Sequence, residues 1–185
     1  LKVYGPADVA VDQTTLRQSW NDGLFAGNAS VSVTRSRIAD HGAHGLNYQG
    51  LDPSTDLVLG DNVFTTAKAG SVAARIGFGT SPALVRVVGN QAAGSGGNGV
   101  RIEGRVDTDL DLEGDSGLPF LLPTSLSVAP STTLRVAPGA VFKADGCGAK
   151  LVVEGTLTAA GTAGAPVVFT SIHDDAIAGD SNGNG

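Results

Sequence analysis

The stretch VSVTRSRIADHGAHGLNY, residues 31–48, sets the plan that the rest of the chain repeats. It begins with alternating apolar residues at Val31 and Val33, continues through a small polar residue to Ile38, and turns at Gly45. Such period-two alternation is typical of a β-strand with one buried face. Residues 31–48 therefore predict one coil of short strands joined by tight turns.

Other segments carry the same landmarks at nearly constant spacing. Upstream, six landmarks occur 22 residues before their counterparts in residues 31–48. Downstream, the pattern starts again at Leu57, at Val85 and, more weakly, at Leu110, so the steps counted from Val9 are 22, 26, 28 and 25 residues. Repeats of this length are typical of solenoids, in which a coil buries its inward face only by stacking on its neighbours.

The spacing of strands within a repeat indicates the kind of solenoid. A strand occurs every seven or eight residues, and the chain returns to its starting position after 22 to 28 residues. We therefore predict an all-β fold, a right-handed parallel β-helix with about three short strands per coil of 22–28 residues. The residues expected to point into one core are Val31, Val33, Ile38, Leu46, Leu57, Leu59, Phe64, Val85, Val87, Val100 and Ile102.

Small polar residues recur at one position of the repeat. Thr14, Ser36, Asn62 and Asn90 each stand two residues before the apolar residue that starts the second strand. Stacked at one corner, such side chains can hydrogen-bond along the stack and to turn backbone groups. The pattern predicts an internal polar ladder.

The repeats continue through the chain without a linker. We expect one β-helix domain over residues 1–185, with generic coils in 1–106, short-strand coils in 107–172 and an acidic loop or tail in 173–185. The chain has no methionine and begins in mid-coil, so we expect a fragment of a longer polypeptide. Unpaired strand edges at the ends of a cut β-helix would favour end-to-end self-association.

Charge and composition exclude several classes of partner. The net charge is −6 and the basic residues are scattered, whereas nucleic-acid binding needs clustered Lys and Arg. No run of 18 apolar residues is present, so we expect no membrane insertion. Cys147 is the only cysteine, which excludes an intrachain disulfide.

Residues 134–175, LRVAPGAVFKADGCGAKLVVEGTLTAAGTAGAPVVFTSIHDD, carry a more specific motif. This stretch resembles the right-handed β-helix repeats of large bacterial secreted and cell-surface proteins of the pectate-lyase-like superfamily. The match covers about residues 117–185, whereas the first hundred residues match only the generic coil. The matching positions are Pro138, Gly139, Phe142, Leu151, Val153, Gly155, Thr156, Leu157, Gly161, Thr162, Pro166, Phe169, Thr170 and Ser171.

The resemblance implies a fold more strongly than a function, because that fold hosts lyases, hydrolases, adhesins and passive stalks. We expect a non-catalytic structural or adhesive segment of a secreted or surface-exposed bacterial protein, with carbohydrate or another cell-surface protein as partner. The alternative is a polysaccharide lyase or glycoside hydrolase of the same superfamily.

The acidic end of the chain is a candidate calcium site. Asp180, Asn182 and Asn184, followed by Gly185, have the D-x-N-x-N-G spacing that opens a calcium loop. The candidate ligands are Asp174, Asp175, Asp180, Asn182 and Asn184. The competing interpretation is a mobile, solvated terminus.

Three other groups of residues are candidate sites. Asp40, His41 and His44 suggest a metal pair or a general base, with a polar turn as the alternative. Trp20 is expected to be a packing or capping residue, with a sugar-binding aromatic as the alternative. The alternating residues Asp107, Asp109 and Asp111 are expected to share one outward strand face, as catalytic carboxylates or as solvated charges.

Overall fold

The computed structural model describes residues 1–50, 52–66, 68, 70–94, 97–115 and 117–184. These residues form β-strands, turns and bends, and no helix is found among them, which confirms the all-β prediction. The strands of the described residues, in chain order, are β1 (Lys2–Tyr4), β2 (Asp8–Asp12), β3 (Thr15–Arg17), β4 (Leu24–Gly27), β5 (Ser30–Thr34), β6 (Arg37–Ala39), β7 (Leu46–Gly50), β8 (Asp56–Gly60), β9 (Val63–Thr66), β10 (Val72–Phe78), β11 (Leu84–Val88), β12 (Gln91–Gly94), β13 (Gly97–Val106), β14 (Leu110–Gly114), β15 (Phe120–Leu122), β16 (Ser125–Val128), β17 (Thr133–Val136), β18 (Val141–Ala144), β19 (Lys150–Val153), β20 (Thr156–Ala159) and β21 (Val168–Ser171).

Parallel stacking of these strands produces a β-solenoid of about seven turns with three strands per coil. One sheet has seven strands in the order β2-β5-β8-β11-β14-β17-β20, and a second has four in the order β3-β6-β9-β12. The third sheet follows the order β1-β4-β7-β10-β13-β15-β18-β21, with β16 and β19 branching from β13. The predicted parallel β-helix is confirmed, and its right-handed sense stays a prediction.

The register of the seven-stranded sheet agrees with the repeat at all but one step. Val9 pairs with Val31, and Val31 with Leu57, as the landmarks predict. Val85, however, pairs with Leu112, so the step there is 27 residues and the predicted step of 25 to Leu110 is wrong. A shift of two residues keeps every side chain on the same face of a strand, so alternation alone does not distinguish the two registers.

One apolar core runs along the inside of the coils. All eleven residues predicted to point inward are buried in it, each with at most 2% of its surface exposed. Burial of an aliphatic or aromatic side chain of this size contributes about 1.5–3 kcal/mol, so the stacked coils are held mainly by this core. Near the C-terminal end, the Phe120 and Phe142 rings meet at a tilt with their centroids 5.3 Å apart, and the Phe142 and Phe169 rings stack at 5.0 Å.

The predicted polar ladder lies at the corner between the seven-stranded and four-stranded sheets. The Thr14 amide donates to Ser36 Oγ at 3.0 Å, and the Ser36 amide donates to Asn62 Oδ1 at 2.9 Å. The Asn62 amide continues the ladder to Asn90 Oδ1 at 3.1 Å. The side chains of Ser36, Asn62 and Asn90 thus each accept from a backbone N–H of the preceding coil, whereas the Thr14 hydroxyl donates to the Asp12 carbonyl at 2.8 Å. The predicted ladder is confirmed.

Candidate functional site

Two turns, one from each of the first two coils, lie directly on each other near the N-terminal end. The Gly42 amide donates to the carbonyls of Ser19 at 2.7 Å and Asn21 at 3.0 Å. A Cβ atom at residue 42 would lie 2.0 Å from the Trp20 carbonyl oxygen, so only glycine permits this approach. The turn containing Gly42 is therefore fixed on the turn containing Trp20.

These turns form an open groove of about 440 Å³, which we call the Trp20 groove. Its lining includes Gln18, Ser19, Trp20, Asp40, His41 and Lys68.

Trp20 lies at the groove with its side chain fully exposed to solvent. The prediction that Trp20 packs or caps is therefore wrong. Its backbone carbonyl, rather than its indole, makes the close contact with Gly42 of the next coil. Large aromatic side chains are rarely left wholly in water, because each can bury about 150–250 Å² of surface. Trp20 is thus available to a binding partner.

His41 is the buried polar residue of the groove. Its residue surface is only 4% exposed, and neither ring nitrogen has a hydrogen-bond partner among the described residues. Burial lowers the pKa of His41, while the carboxylates of Asp22 and Asp40 and the Ala39 carbonyl act in the opposite direction. A neutral imidazole has one donor and one acceptor nitrogen, and in His41 the protein encloses both rather than presenting them to solvent.

His44 has a structural role in the same turn. Its Nδ1 accepts a hydrogen bond from the Val72 amide at 3.3 Å, and its own amide donates to Asp22 Oδ1 at 3.1 Å. Burial lowers the pKa of His44 as well. The described residues contain no cluster of three or more His, Cys, Asp or Glu side chains placed to hold a metal ion. These contacts favour the polar-turn interpretation for His44.

The three alternating aspartates do not form one strand face. Strand β14 begins at Leu110, so Asp107 and Asp109 lie in the preceding turn and only Asp111 belongs to the strand. Asp107 Oδ1 accepts from the Ser81 amide at 3.0 Å. Asp109 and Asp111 both bind Arg135, at 2.9 and 3.3 Å. All three side chains are exposed, and they connect coils rather than converge on a site.

Arginines of the strands and of one bend also pair with carboxylates of other coils. Arg35 Nε donates to Asp12 Oδ1 at 2.9 Å, and Arg75 pairs with Glu103. Arg86 pairs with Glu113 at 3.1 Å in the same way. The pairs Arg101–Asp145 and Arg105–Glu154, both at 3.6 Å, instead connect coils that are two apart. Exposed ion pairs contribute little to stability. They do, however, occupy charged side chains that an acid–base mechanism would need to be free.

The segment of residues 172–184, which we call the C-terminal strap, folds back over the outer face of the third sheet, the one that contains β13, β15 and β18. Ile172 packs with Val72 and Leu121 in a second apolar cluster outside the main core. The Asn98 amide donates to the Ser181 carbonyl at 3.1 Å, and Asn98 Nδ2 donates to the Asp180 carbonyl at 3.0 Å. These contacts hold described residues of the predicted tail, 173–185, against the solenoid, which does not fit its interpretation as a mobile, solvated terminus.

Lys143 binds the strap through hydrogen bonds to its carbonyl groups, a role that the sequence analysis missed. This lysine is fully buried, and its Nζ donates to the carbonyls of Asp174 at 2.9 Å and Gly179 at 2.7 Å. Burial lowers the pKa of Lys143, opposed by the nearby carboxylates of Asp175, Asp174 and Asp180.

The sequence does indicate that the outer face of the sheet is covered near Lys143. Leu121, the neighbour of Lys143 in the sheet, belongs to an unbroken apolar run, Phe120–Leu122. Strands buried on both faces read as continuous apolar runs rather than alternating ones. The run therefore indicates that something covers the outer face at this point.

The residues predicted to bind calcium all lie in the strap, where several are engaged in turns. Asp174 Oδ2 accepts from Thr170 Oγ1 at 2.7 Å. Asp180 Oδ1 accepts from the amides of Asn182 at 3.1 Å and Gly183 at 2.7 Å. Three predicted residues remain: Asn182, whose Oδ1 accepts from the Asn184 amide at 3.1 Å, and Asp175 and Asn184, which are both exposed.

Gly185, the last residue of the D-x-N-x-N-G spacing, lies outside the described residues. The carboxylates of Asp174, Asp175 and Asp180 are the groups that attract the Lys143 ammonium. A calcium ion bound by the same carboxylates would therefore compete with Lys143. Calcium binding stays a prediction.

Comparison of the chain with protein-family models, with curated proteins and with solved structures gives no match. The resemblance of residues 134–175 to the pectate-lyase-like superfamily therefore stays an expectation based on the motif. In the described part of the chain, no helix is long and apolar enough to cross a membrane.

Proposed function

We propose that the chain is a non-catalytic structural or adhesive β-helix segment of a secreted or surface-exposed bacterial protein. The observation that carries this proposal is the pairing of outward charges between coils. Arg35, Arg75, Arg86 and Arg135 are each bound to a carboxylate of a neighbouring coil. The charged side chains that could otherwise perform acid–base chemistry therefore connect one coil to the next.

A structural segment needs contacts that continue from one end of the molecule to the other. The apolar core and the parallel strand ladders both provide them. The apolar core extends from Val11 in the first coil to Phe142 in the sixth, and the parallel ladders of two sheets run through all the coils. Secretion and bacterial origin rest on the resemblance of residues 134–175 alone.

The test is a turnover screen on pectin, alginate and glycosaminoglycans, measured by the release of unsaturated or reducing sugar ends. We expect no turnover above a buffer blank. Measurable turnover that an Arg135→Ala or Asp109→Ala variant abolishes would overturn the proposal in favour of a polysaccharide lyase or glycoside hydrolase.

We also propose end-to-end association of two copies. Among the described residues, strands β19, β20 and β21 each pair with a strand on one side only, and Phe169 in β21 is 50% exposed. Unpaired strand edges beside exposed apolar side chains favour pairing with another chain. Light scattering should show an average mass that rises with concentration, and a Phe169→Lys variant should reduce this rise. A monomer at all concentrations would contradict the association.

A further inference from the structure

We propose that two copies of this chain bind side by side, through the outer faces of two different sheets. The basic face is the part of the four-stranded sheet around Arg17 and Arg37, and the acidic face is the part of the seven-stranded sheet around Asp8 and Asp56. This contact goes beyond the proposed structural function and is distinct from end-to-end association. The observation that carries it is where the solenoid leaves strand charges without an ion pair.

Arg17 and Arg37 differ from every other arginine of the chain. Six of the eight arginines form ion pairs with carboxylates of other coils. In the described part of the chain, no such pair includes Arg17 or Arg37. Both residues are exposed, on the adjacent strands β3 and β6, where Arg37 pairs with Thr15. Their positive charges therefore lie together on one outer face.

Asp8 and Asp56 form the matching group on the seven-stranded sheet. Both are exposed, on β2 and β8, with β5 between them. Asp8 pairs with Ser30, and the next residue, Val31, pairs with Leu57, so the two aspartates lie in one row across the sheet. No ion pair of either aspartate is found among the described residues.

The arginines that border the acidic face do not neutralise it. Arg35 is bound to Asp12, and Arg86 to Glu113. The face therefore carries negative charge that the chain itself does not compensate. Opposite charge on a partner surface is the property that such a face recognises.

The two groups of charges have similar spacings. Neighbouring strands lie about 4.8 Å apart, so Asp8 and Asp56, two strands apart in one row, have Cα atoms about 9.6 Å apart. Arg17 pairs with Ala39, which is two residues from Arg37 on the same strand. The arginine Cα atoms are therefore about 8 Å apart. Both arginines of one copy can thus bind the two aspartates of another, in the paired geometry that guanidinium and carboxylate groups favour.

Apolar contact adds to these ion pairs, which contribute little when fully exposed. A shallow trough of about 340 Å³ on the acidic face is lined by Ala10, Ser32 and Val58 as well as by the two aspartates. On the basic face, Val63 pairs with Arg37 and is 39% exposed. Face-to-face packing of the two sheets would cover this side chain. Because both faces are small, we expect a weak association that depends on concentration.

The contact joins two different faces, so it is heterologous. Each copy can use its basic face on one neighbour and its acidic face on another, which gives rows of copies unless a ring closes. A self-complementary contact would instead stop at a dimer. This difference makes the contact testable with mixtures of variants.

Sedimentation velocity at about 0.15 M salt tests the contact, because charges more than about 8 Å apart are then largely screened and the net charge of −6 has little effect. Every chain carries Phe169→Lys to suppress end-to-end association. We expect the average mass of the Phe169→Lys chain to rise with concentration. The double variants Arg17→Glu, Arg37→Glu and Asp8→Lys, Asp56→Lys should each weaken association at least tenfold. They change the net charge in opposite directions, so a loss in both cannot result from net charge.

An equimolar mixture of the two double variants gives the most specific result. The arginine variant keeps its acidic face and the aspartate variant keeps its basic face, so the mixture should form one-to-one pairs that do not grow further. The control Lys2→Glu, Lys150→Glu changes the net charge as much as the arginine variant but lies outside both faces, and it should associate like the Phe169→Lys chain. All four substituted face residues are exposed, so the melting temperatures should agree.

Four outcomes would overturn the inference: a Phe169→Lys chain that is monomeric at all concentrations, association that survives in either double variant, a mixture that stays monomeric, or a control that loses association like the variants. The turnover screen tests the proposed function separately, since none of these outcomes depends on catalysis.

Discussion

The Asn62 side chain donates from Nδ2 to Asn90 Oδ1 at 2.9 Å, from one coil to the next inside the solenoid. The same Nδ2 donates to the Val33 carbonyl at 2.7 Å in the coil before, so Asn62 connects three successive coils. Both asparagines have at most 1% of their surface exposed. A buried, fully bonded polar ladder of this kind fixes the register of the coils at one corner.

Replacement of Asn62 by Ala should lower the free energy of unfolding by about 3 kcal/mol or more, since each buried group left without its partner costs about 1–3 kcal/mol. The groups left are the Ser36 amide and the Val33 carbonyl. Chemical denaturation measures the loss. Gln91→Ala, an exposed polar residue beside Asn90, serves as the control and should change stability by less than about 0.5 kcal/mol. Equal stability of Asn62→Ala and the parent chain would show that the ladder is dispensable.

This ladder and the core could be predicted from the sequence because both depend on a local pattern that every coil repeats. The register between Val85 and the next coil could not be predicted, since pairing with Leu110 or with Leu112 leaves the alternation of the strand unchanged. The exposure of Trp20 and the position of the strap depend on contacts between distant parts of the chain. Asn98 and Asp180, for example, are 82 residues apart. No local period encodes such a contact.

Val33 tests the core at the centre of the second coil. It is 1% exposed and pairs with Val11 on one side and Leu59 on the other. Val33→Asp should destabilise the fold by about 4 kcal/mol or more, because an unpaired carboxylate would be buried. Ser32→Asp places the same charge on the opposite, partly exposed strand face and should cost much less. Thermal unfolding of the two variants compares these costs, and equal melting temperatures would contradict the assigned faces.

Lys143→Met should release the C-terminal strap while leaving the solenoid folded. Methionine keeps an apolar stem beside Leu121 but removes the donor to the Asp174 and Gly179 carbonyls. Loss of a buried ammonium also removes its desolvation cost, so global stability should change little. We expect amide hydrogen exchange in residues 172–184 to accelerate at least tenfold. Lys150→Met, at an exposed lysine of β19, should have no effect, and unchanged strap protection in Lys143→Met would contradict the assigned role.

Acidification below neutral pH should weaken the fold through His41 and His44. Burial lowers the pKa of both imidazoles, whereas in the unfolded chain their pKa is about 6.5. Their contribution to stability is therefore complete above about pH 6.5 and is lost as the pH falls through the lower folded values.

The groups that face these imidazoles modify the size of this effect. Asp22 opposes the shift at both imidazoles and Asp40 opposes it at His41, whereas Arg101, Arg75 and His41 reinforce it at His44. The melting temperature should fall between pH 7 and pH 5 in the parent chain and less in a His41→Asn, His44→Asn double variant. Exposed aspartates such as Asp12 have pKa values lowered by bonded partners and act only at more acidic pH. A flat melting profile from pH 7 to pH 5 would contradict the role of the imidazoles.

Calcium should stabilise the chain if the strap carboxylates gather around an ion. An ion that binds only the folded form adds about 1.4 kcal/mol when its concentration is ten times the dissociation constant, and weak extracellular sites have constants of about 0.1–1 mM. We therefore expect 10 mM calcium to raise the melting temperature by a few degrees and EDTA to reverse the change. Asp175→Asn tests calcium binding more specifically than a variant of Asp180 would. Asp175 is exposed, whereas Asp180 also accepts two backbone hydrogen bonds in the strap.

The competition with Lys143 gives this prediction a second readout. Removal of the ammonium in Lys143→Met should tighten calcium binding, since the carboxylates of Asp174, Asp175 and Asp180 would then lack their resident cation. Calorimetric titration of the parent chain, Asp175→Asn and Lys143→Met measures the order of affinities. A titration without heat in the parent chain and in Lys143→Met, together with an unchanged melting temperature, would contradict a calcium site and leave Lys143 as the cation around which the strap folds.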